Sequence, residues 1–170
     1  MSAAVQVSLA EYLSTSYEPD CEYVDGVLEE RNLGTRRHSQ TQGLLYAWLL
    51  SKAREHRHDI RLEQRVQISK SRFRIPDICL VPKTDLDDIV EHPPALWIEV
   101  LSPEDRWSRI RRRLADILSS GVPSVWIVDP CKREAWMATP ELGTVKVEDG
   151  MLRCESLGLE VELKEILPEN

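Results

Sequence analysis

The sequence has no apolar run near 18 residues, the length that a helix needs to cross a bilayer, so no transmembrane segment is expected. Its first residues, Met1 to Gln6, lack a basic region and a long apolar core, so we expect no secretory signal. The 4 cysteines stand far apart, with no Cys-x-x-Cys pair. A zinc site built from cysteines alone is therefore not expected, and disulfides are not implied. These absences favour the reducing cytoplasm.

The sequence also lacks an excess of positive charge. Its formal net charge is −7, which argues against indiscriminate nucleic-acid binding by the whole surface. The basic residues are unevenly placed, however, because residues 61–74 and 106–113 each hold five arginines or lysines. A local basic stripe on an acidic protein can still contact phosphate.

Internal repeats and low-complexity segments are absent too. A length of 170 residues is enough for one domain with its own core. A hydrophobic share of 42% with 30% charged residues is ordinary for a globular protein. We therefore expect a single domain over residues 1–170.

Hydrophobic periodicity and turn signals predict an α/β fold, with a mixed central sheet flanked by helices. The strands at 62–68, 75–81 and 96–101 are expected to form an antiparallel meander. The segment 96–128 reads as a right-handed strand–helix–strand crossover with parallel strands. The predicted elements are helices over 8–16, 35–56 and 102–121, a hairpin within 21–31, strands over 62–68, 75–81, 96–101 and 124–128, a hairpin partner at 134–138, and weaker strands at 144–147 and 157–163.

Residues that favour particular backbone conformations mark the ends of these elements. Ser8 followed by Glu11 fits a capping box, and Thr35 is placed to cap the long helix. Asp25-Gly26 between apolar runs predicts a hairpin turn. Ser102 is expected to cap the third helix, with Pro103 in its first turn, and Gly121 to end it.

Two acids interrupt the most apolar strands. Asp77 lies inside the predicted strand 75–81, and Glu99 lies inside the predicted strand 96–101. An unpaired carboxylate in a buried strand costs several kcal/mol, so two of them on adjacent strands suggest a compensating cation. Because side chains alternate along a strand, Asp77 and Glu99 can project side by side if the register suits.

A pair of hard oxygen ligands, completed by water and a backbone carbonyl, suits Mg²⁺ or Mn²⁺. The Val100 carbonyl is the candidate in this sequence. A second interpretation stays open: Asp77 caps a turn after Pro76, and Glu99 pairs with an arginine.

The order of several short motifs resembles the PD-(D/E)XK phosphodiesterases and, more closely, the Uma-type restriction endonuclease family. The matching segments are Glu22-Tyr23-Val24-Asp25-Gly26, His38, Pro76-Asp77, Glu99-Val100-Leu101-Ser102-Pro103, Gly121-Val122-Pro123 and Trp126-Ile127-Val128-Asp129-Pro130. The resemblance implies a restriction-endonuclease-like core, a divalent metal held by Asp77 and Glu99, and hydrolysis of a nucleic-acid phosphodiester, with DNA the expected substrate. By analogy with enzymes that cut both strands, it implies a homodimer.

The sequence departs from that pattern where the Glu-x-Lys triplet has its lysine, because the position holds Leu101. In the resembling family the lysine lies on the following helix, four residues after an aspartate, and here Arg109 and Arg113 stand at those two positions. The apolar stripe of this helix is formed by Trp107, Ile110, Leu114, Ile117 and Leu118. Helical geometry places Arg113 beside that stripe, within reach of the sheet edge, and Arg109 further toward solvent. Arginine stabilises negative charge but does not accept a proton, so Arg113 would do half the work of the lysine.

Likeness to the family also places His38 and Glu22 near the site, as further candidate catalytic residues. Their structural alternatives are a local hydrogen bond at the helix start for His38 and a solvated strand position for Glu22. Three functions follow: a metal-dependent nuclease, a catalytically weak or inactive member of the fold that binds nucleic acid or protein, and a structural oligomerisation module that pairs through exposed sheet edges.

Overall fold

The computed structural model describes residues 6–32, 34–52 and 57–169. Its helices are α1 (Leu9–Ser14), α2 (Arg36–Lys52), α3 (Trp107–Ser119) and α4 (Leu163–Ile166). Its strands are β1 (Cys21–Val24), β2 (Val27–Glu30), β3 (His58–Leu62), β4 (Val66–Ser69), β5 (Arg72–Arg74), β6 (Ile78–Pro82), β7 (Leu96–Val100), β8 (Val125–Asp129), β9 (Glu134–Thr139), β10 (Gly143–Lys146), β11 (Met151–Cys154) and β12 (Leu159–Glu162).

The largest sheet has the strand order β10-β9-β8-β7-β6-β3. Strands β3, β6 and β7 are antiparallel neighbours, whereas β7 and β8 run parallel across the connection through α3. Strand β9 returns antiparallel to β8. The mixed α/β fold, the parallel pairing of β7 with β8 and the hairpin partner β9 are therefore confirmed.

Alternating side chains divide the core between the two faces of this sheet. On one face, Leu80 and Ile98 pack with Leu45 and Leu49 of α2. On the other face, Trp97 packs against α3, together with other buried side chains of β6, β7 and β8. The apolar stripe predicted for α3 is confirmed. In α2, Leu45 and Leu49 are buried and Leu44 is 38% exposed, and residues 53–56 of the predicted helix lie outside the described residues.

A second sheet, β2-β1-β5-β4, lies beside α3. On one of its faces Tyr23 and Phe73 pack with Tyr12 of α1. Its other face carries charged side chains, including Glu22 and Arg74, that reach toward α3. The hairpin turn predicted at Asp25-Gly26 joins β1 to β2, and both turn residues have positive φ.

One strand was predicted over residues 62–68, but the structure divides this segment between two strands. Leu62 ends β3 in the large sheet, and Val66 begins β4 in the second sheet. Between them Glu63 adopts φ +50°, which turns the chain out of the large sheet. Gln64 fixes the turn by donating to the carbonyls of Asp87 and Asp88 at 3.0 and 2.8 Å. Gln64, a polar residue within this apolar segment, therefore marks the point where the chain passes from one sheet to the other.

Helix α3 begins at Trp107, five residues after the predicted cap Ser102. The Asp105 carboxylate accepts from the Ser102 backbone N–H at 2.7 Å, and the Asp105 N–H donates to the Ser102 carbonyl at 3.0 Å. This closed turn uses the groups that would have started the helix. Arg106 then takes an extended conformation and provides no side-chain cap. The other predicted ends are confirmed: Ser8 and Thr35 accept capping hydrogen bonds, and Gly121 follows α3 with φ +98°.

We expect Gly121→Ala to lower the free energy of unfolding by about 1–3 kcal/mol, because a side chain strains the backbone at this φ. A Cβ would also lie 3.2 Å from Cγ of Pro93. Urea denaturation measures the loss. Gly43→Ala is the matched control. Gly43 lies in α2 with no atom within 4 Å of the added Cβ, so alanine should stabilise the protein by about 0.5–1 kcal/mol. Equal effects of the two changes would contradict the backbone argument.

Candidate metal and phosphodiester site

Asp77 and Glu99 lie side by side at one end of the neighbouring strands β6 and β7. Ile78 of β6 is opposite Ile98 of β7, so the antiparallel register brings the preceding Asp77 next to the following Glu99. A hydrogen bond of 2.6 Å from the Val100 N–H to Oδ2 of Asp77 fixes this arrangement. The geometric prediction that the two acids converge on one face is therefore met.

Asp77 is buried and accepts from donors on both of its oxygens. Nη2 of Arg31 lies 2.6 Å from Oδ1, and Nε2 of His38 lies 3.4 Å from Oδ2, the oxygen that also accepts from Val100. Burial raises the pKa of Asp77, but the His38 hydrogen bond and the Arg31 charge outweigh it, and the pKa is lowered overall. Asp77 is thus an ionised carboxylate. Arg31 is a partner that sequence reasoning missed.

Glu99 has a different environment. Its Oε1 accepts from Nε1 of Trp97 at 2.7 Å and from Nη2 of Arg113 at 2.9 Å. Burial, together with the charges of Asp77 and Glu22, raises the pKa of Glu99 to about 7 even though Arg113 opposes the shift. Within the described residues, Oε2 of Glu99 accepts no hydrogen bond. Negative charge at this point is therefore incompletely compensated.

Glu22 belongs to a buried network of ion pairs. Its Oε1 accepts from Arg113 at 2.8 Å and from the Ile75 N–H at 3.0 Å, and its Oε2 accepts from Arg74 at 2.7 Å. The solvated strand position considered for Glu22 is wrong, since the residue is 1% exposed. Arg74, with no exposed surface, also binds Glu29 at 2.7 Å. The guanidinium of Arg74 therefore neutralises Glu22 and Glu29, which stand directly opposite each other in the β1–β2 pair.

All six residues predicted for the site line one polar cavity, together with Arg31, Asn32, Ser102, Asp105 and Arg109. The predicted residues are Glu22, His38, Asp77, Glu99, Val100 and Arg113. The cavity volume is about 30 Å³, which is room for one ion or one or two water molecules. Arg109, expected further toward solvent than Arg113, also lines the cavity and donates to the Glu30 carbonyl at 3.0 Å.

The donors present match a hard divalent ion only in part. Asp77 and Glu99 supply carboxylate oxygens, the ligand type that such an ion prefers. Among residues 6–32, 34–52 and 57–169, however, no group of three or more histidine, cysteine or acidic residues is arranged to hold a metal. Arg31 covers one oxygen of Asp77, and Arg113 covers one of Glu99. A metal that binds both carboxylates would therefore have to take the place of the Arg31 guanidinium on Asp77.

Comparison with known proteins places the chain in a family. The model of the Uma2 family, described as "Putative restriction endonuclease", matches residues 9–168. The chain belongs to the Uma2 family. A solved structure from Anabaena variabilis, titled a "putative nuclease belonging to DUF820", matches with a TM-score of 0.83 at 20% sequence identity, over 94% of this chain and 97% of that one. Comparison with curated proteins yields no match.

The comparisons confirm the family resemblance and the nuclease-like fold of this Uma2 chain. At 20% identity, the solved structure speaks to the fold alone. No helix in the described part of the chain is long and apolar enough to cross a bilayer.

We expect Arg74→Met to lower the free energy of unfolding by about 3 kcal/mol or more, because it leaves Glu22 and Glu29 facing each other with one buried cation removed. Arg112→Met is the matched control: Arg112 also binds Glu29, at 3.0 Å, but it is 63% exposed. Its loss should cost less than about 1 kcal/mol. Denaturant titration at neutral pH measures both, and a similar cost for the two variants would contradict the assignment.

The pKa of Glu99 predicts a dependence of stability on pH. A carboxyl whose pKa rises on folding, here to about 7, binds its proton more tightly in the folded than in the unfolded chain. Stability from this group is therefore present at low pH and is lost as pH rises from about 4.5 to 7. We expect Glu99→Gln to be more stable than wild type at pH 8, and we expect the difference in stability between the two proteins to become smaller toward pH 5. Thermal unfolding across this range tests it, and parallel curves would refute it.

Proposed function

We propose that this Uma2 chain is a divalent-metal-dependent nuclease that hydrolyses phosphodiester bonds in nucleic acid, with DNA the expected substrate. One observation carries the proposal: Asp77 and Glu99 come together in a polar cavity that Arg113 and His38 also line. Carboxylate pairs beside a fixed cation suit the charge that develops in phosphoryl transfer.

In this proposal Asp77 and Glu99 hold Mg²⁺ or Mn²⁺, with the Val100 carbonyl as a further ligand. The ion, when bound, supplies Lewis-acid stabilisation of a phosphoryl oxygen. Arg113 adds a fixed positive charge, which Glu22 and Glu99 hold from two sides. His38 orients Asp77 through Nε2. Because Arg113 stays protonated, it stabilises charge and accepts no proton.

A second candidate function is nucleic-acid or protein binding without catalysis. It is favoured by Leu101 at the position of the usual lysine and by the guanidinium groups on both central acids. If the protein is catalytic, a homodimer would allow it to cleave both strands. Analytical ultracentrifugation can test whether the protein is a dimer. The cytoplasmic location stays a prediction.

Nicking of supercoiled plasmid with Mg²⁺ or Mn²⁺ tests the proposal, with Asp77→Asn and Glu99→Gln beside the wild type. We expect the wild type to nick and both variants to lose at least 100-fold in rate, since each removes a metal ligand. Calorimetric titration with Mn²⁺ should show binding to wild type and none to Asp77→Asn.

Equal nicking by wild type and both variants would indicate a contaminating nuclease and contradict the proposal. If none of the proteins nicks, a gel-shift assay in EDTA separates the remaining functions. If wild type retards the DNA and Arg113→Glu does not, the protein is a nucleic-acid binding module. A structural oligomerisation module would not retard the DNA.

A further inference from the structure

Two arginines contact the central acids, and they are held very differently. Arg113 lies on α3 and binds Glu22 at 2.8 Å and Glu99 at 2.9 Å, while Arg74 anchors Glu22 from behind. Its guanidinium is thus fixed by two carboxylates. Arg31 has one ion-pair partner among the described residues, Oδ1 of Asp77 at 2.6 Å.

The surroundings of Arg31 also give its side chain somewhere to go. Its backbone is fixed where β2 ends, because its N–H donates to the Asp20 carbonyl at 2.9 Å. Its side chain lies between the polar cavity of the site and a second cavity of about 410 Å³, which Tyr17, Asp20 and Asn32 also line. The guanidinium can therefore leave Asp77 without displacing a strand.

Resting on the proposed function, we propose that Arg31 is a competitive latch: its guanidinium and the divalent ion bind Asp77 in turn, and metal binding requires Arg31 to swing into the neighbouring cavity. A guanidinium on a buried carboxylate replaces the charge that the ion would bring. Removal of that guanidinium leaves Asp77 with His38 and the Val100 N–H as its partners and frees Oδ1 for the ion. Arg31 is a positioning residue for the metal site and sets its affinity.

The latch lowers the apparent metal affinity by the fraction of time that Asp77 is uncovered. If Arg31 covers Asp77 for nine-tenths of the time, binding weakens about tenfold. We therefore expect Arg31→Gln to bind Mn²⁺ at least about tenfold more tightly than wild type. Calorimetry with Mn²⁺ alone, without nucleic acid, measures the change, and electron paramagnetic resonance of free Mn²⁺ checks it.

Arg109→Gln is the matched control. Arg109 lines the same cavity and carries the same charge, but it donates to the Glu30 carbonyl and not to Asp77. Its removal changes the electrostatic potential without uncovering a ligand, so we expect less than about a threefold change. The double variant Arg31→Gln with Asp77→Asn should lose the gain, because the latch acts through Asp77.

The outcomes separate the latch from the nuclease proposal. Wild type that binds Mn²⁺ no more weakly than Arg31→Gln overturns the latch and leaves the nuclease proposal standing. Equal tightening by Arg31→Gln and Arg109→Gln also overturns the latch, since charge alone then explains it. Absence of binding in every variant defeats the metal-dependent nuclease and the latch together. If Arg31→Gln does not fold, Arg31→Lys takes its place, with a smaller gain expected.

Discussion

A series of buried ion pairs holds this fold together at the end of the central strands where Asp77 and Glu99 meet. Arg74 binds Glu22, Glu22 binds Arg113, and Arg113 binds Glu99. These four residues come from β5, β1, α3 and β7, so the network ties the second sheet, the crossover helix and the central sheet to one point. Burial of a charge is tolerated only with a partner, which means that none of these elements can shift without leaving a charge unpaired.

The local part of this arrangement could be predicted from the sequence. Apolar periodicity placed β6, β7, α3 and β8, and the antiparallel pairing of consecutive strands made the approach of Asp77 to Glu99 a local consequence. The partners that complete the site could not be found in this way. Arg31 meets Asp77 across 46 positions, and Arg74 meets Glu22 across 52. In a sequence with many arginines, nothing marks which of them will meet a given acid.

Two of the errors in element boundaries share a cause. In each case a polar side chain forms hydrogen bonds with the backbone of a turn or loop, where the sequence pattern had predicted a continuous strand or helix. Gln64 anchors the loop at Asp87 and Asp88, and Asp105 closes a turn on Ser102. Both contacts are polar and specific, whereas periodicity reports only which residues are buried. The turn that Asp105 closes on Ser102 also places Asp105 at the polar cavity.

The two sequence-based interpretations of Asp77 and Glu99, a shared cation or separate arginine partners, turn out to describe one arrangement. The acids converge, and each meets a guanidinium. Their pKa values are pushed apart: that of Asp77 is lowered and that of Glu99 is raised to about 7. A divergence of this kind is found both at catalytic sites and in buried networks of ion pairs. Burial is the main cause of the raised pKa at Glu99, and the opposing charge of Arg113 is shared between Glu99 and Glu22. In the proposed function a divalent ion would bring positive charge to this pair, and in the proposed latch it would bind Asp77 in place of Arg31.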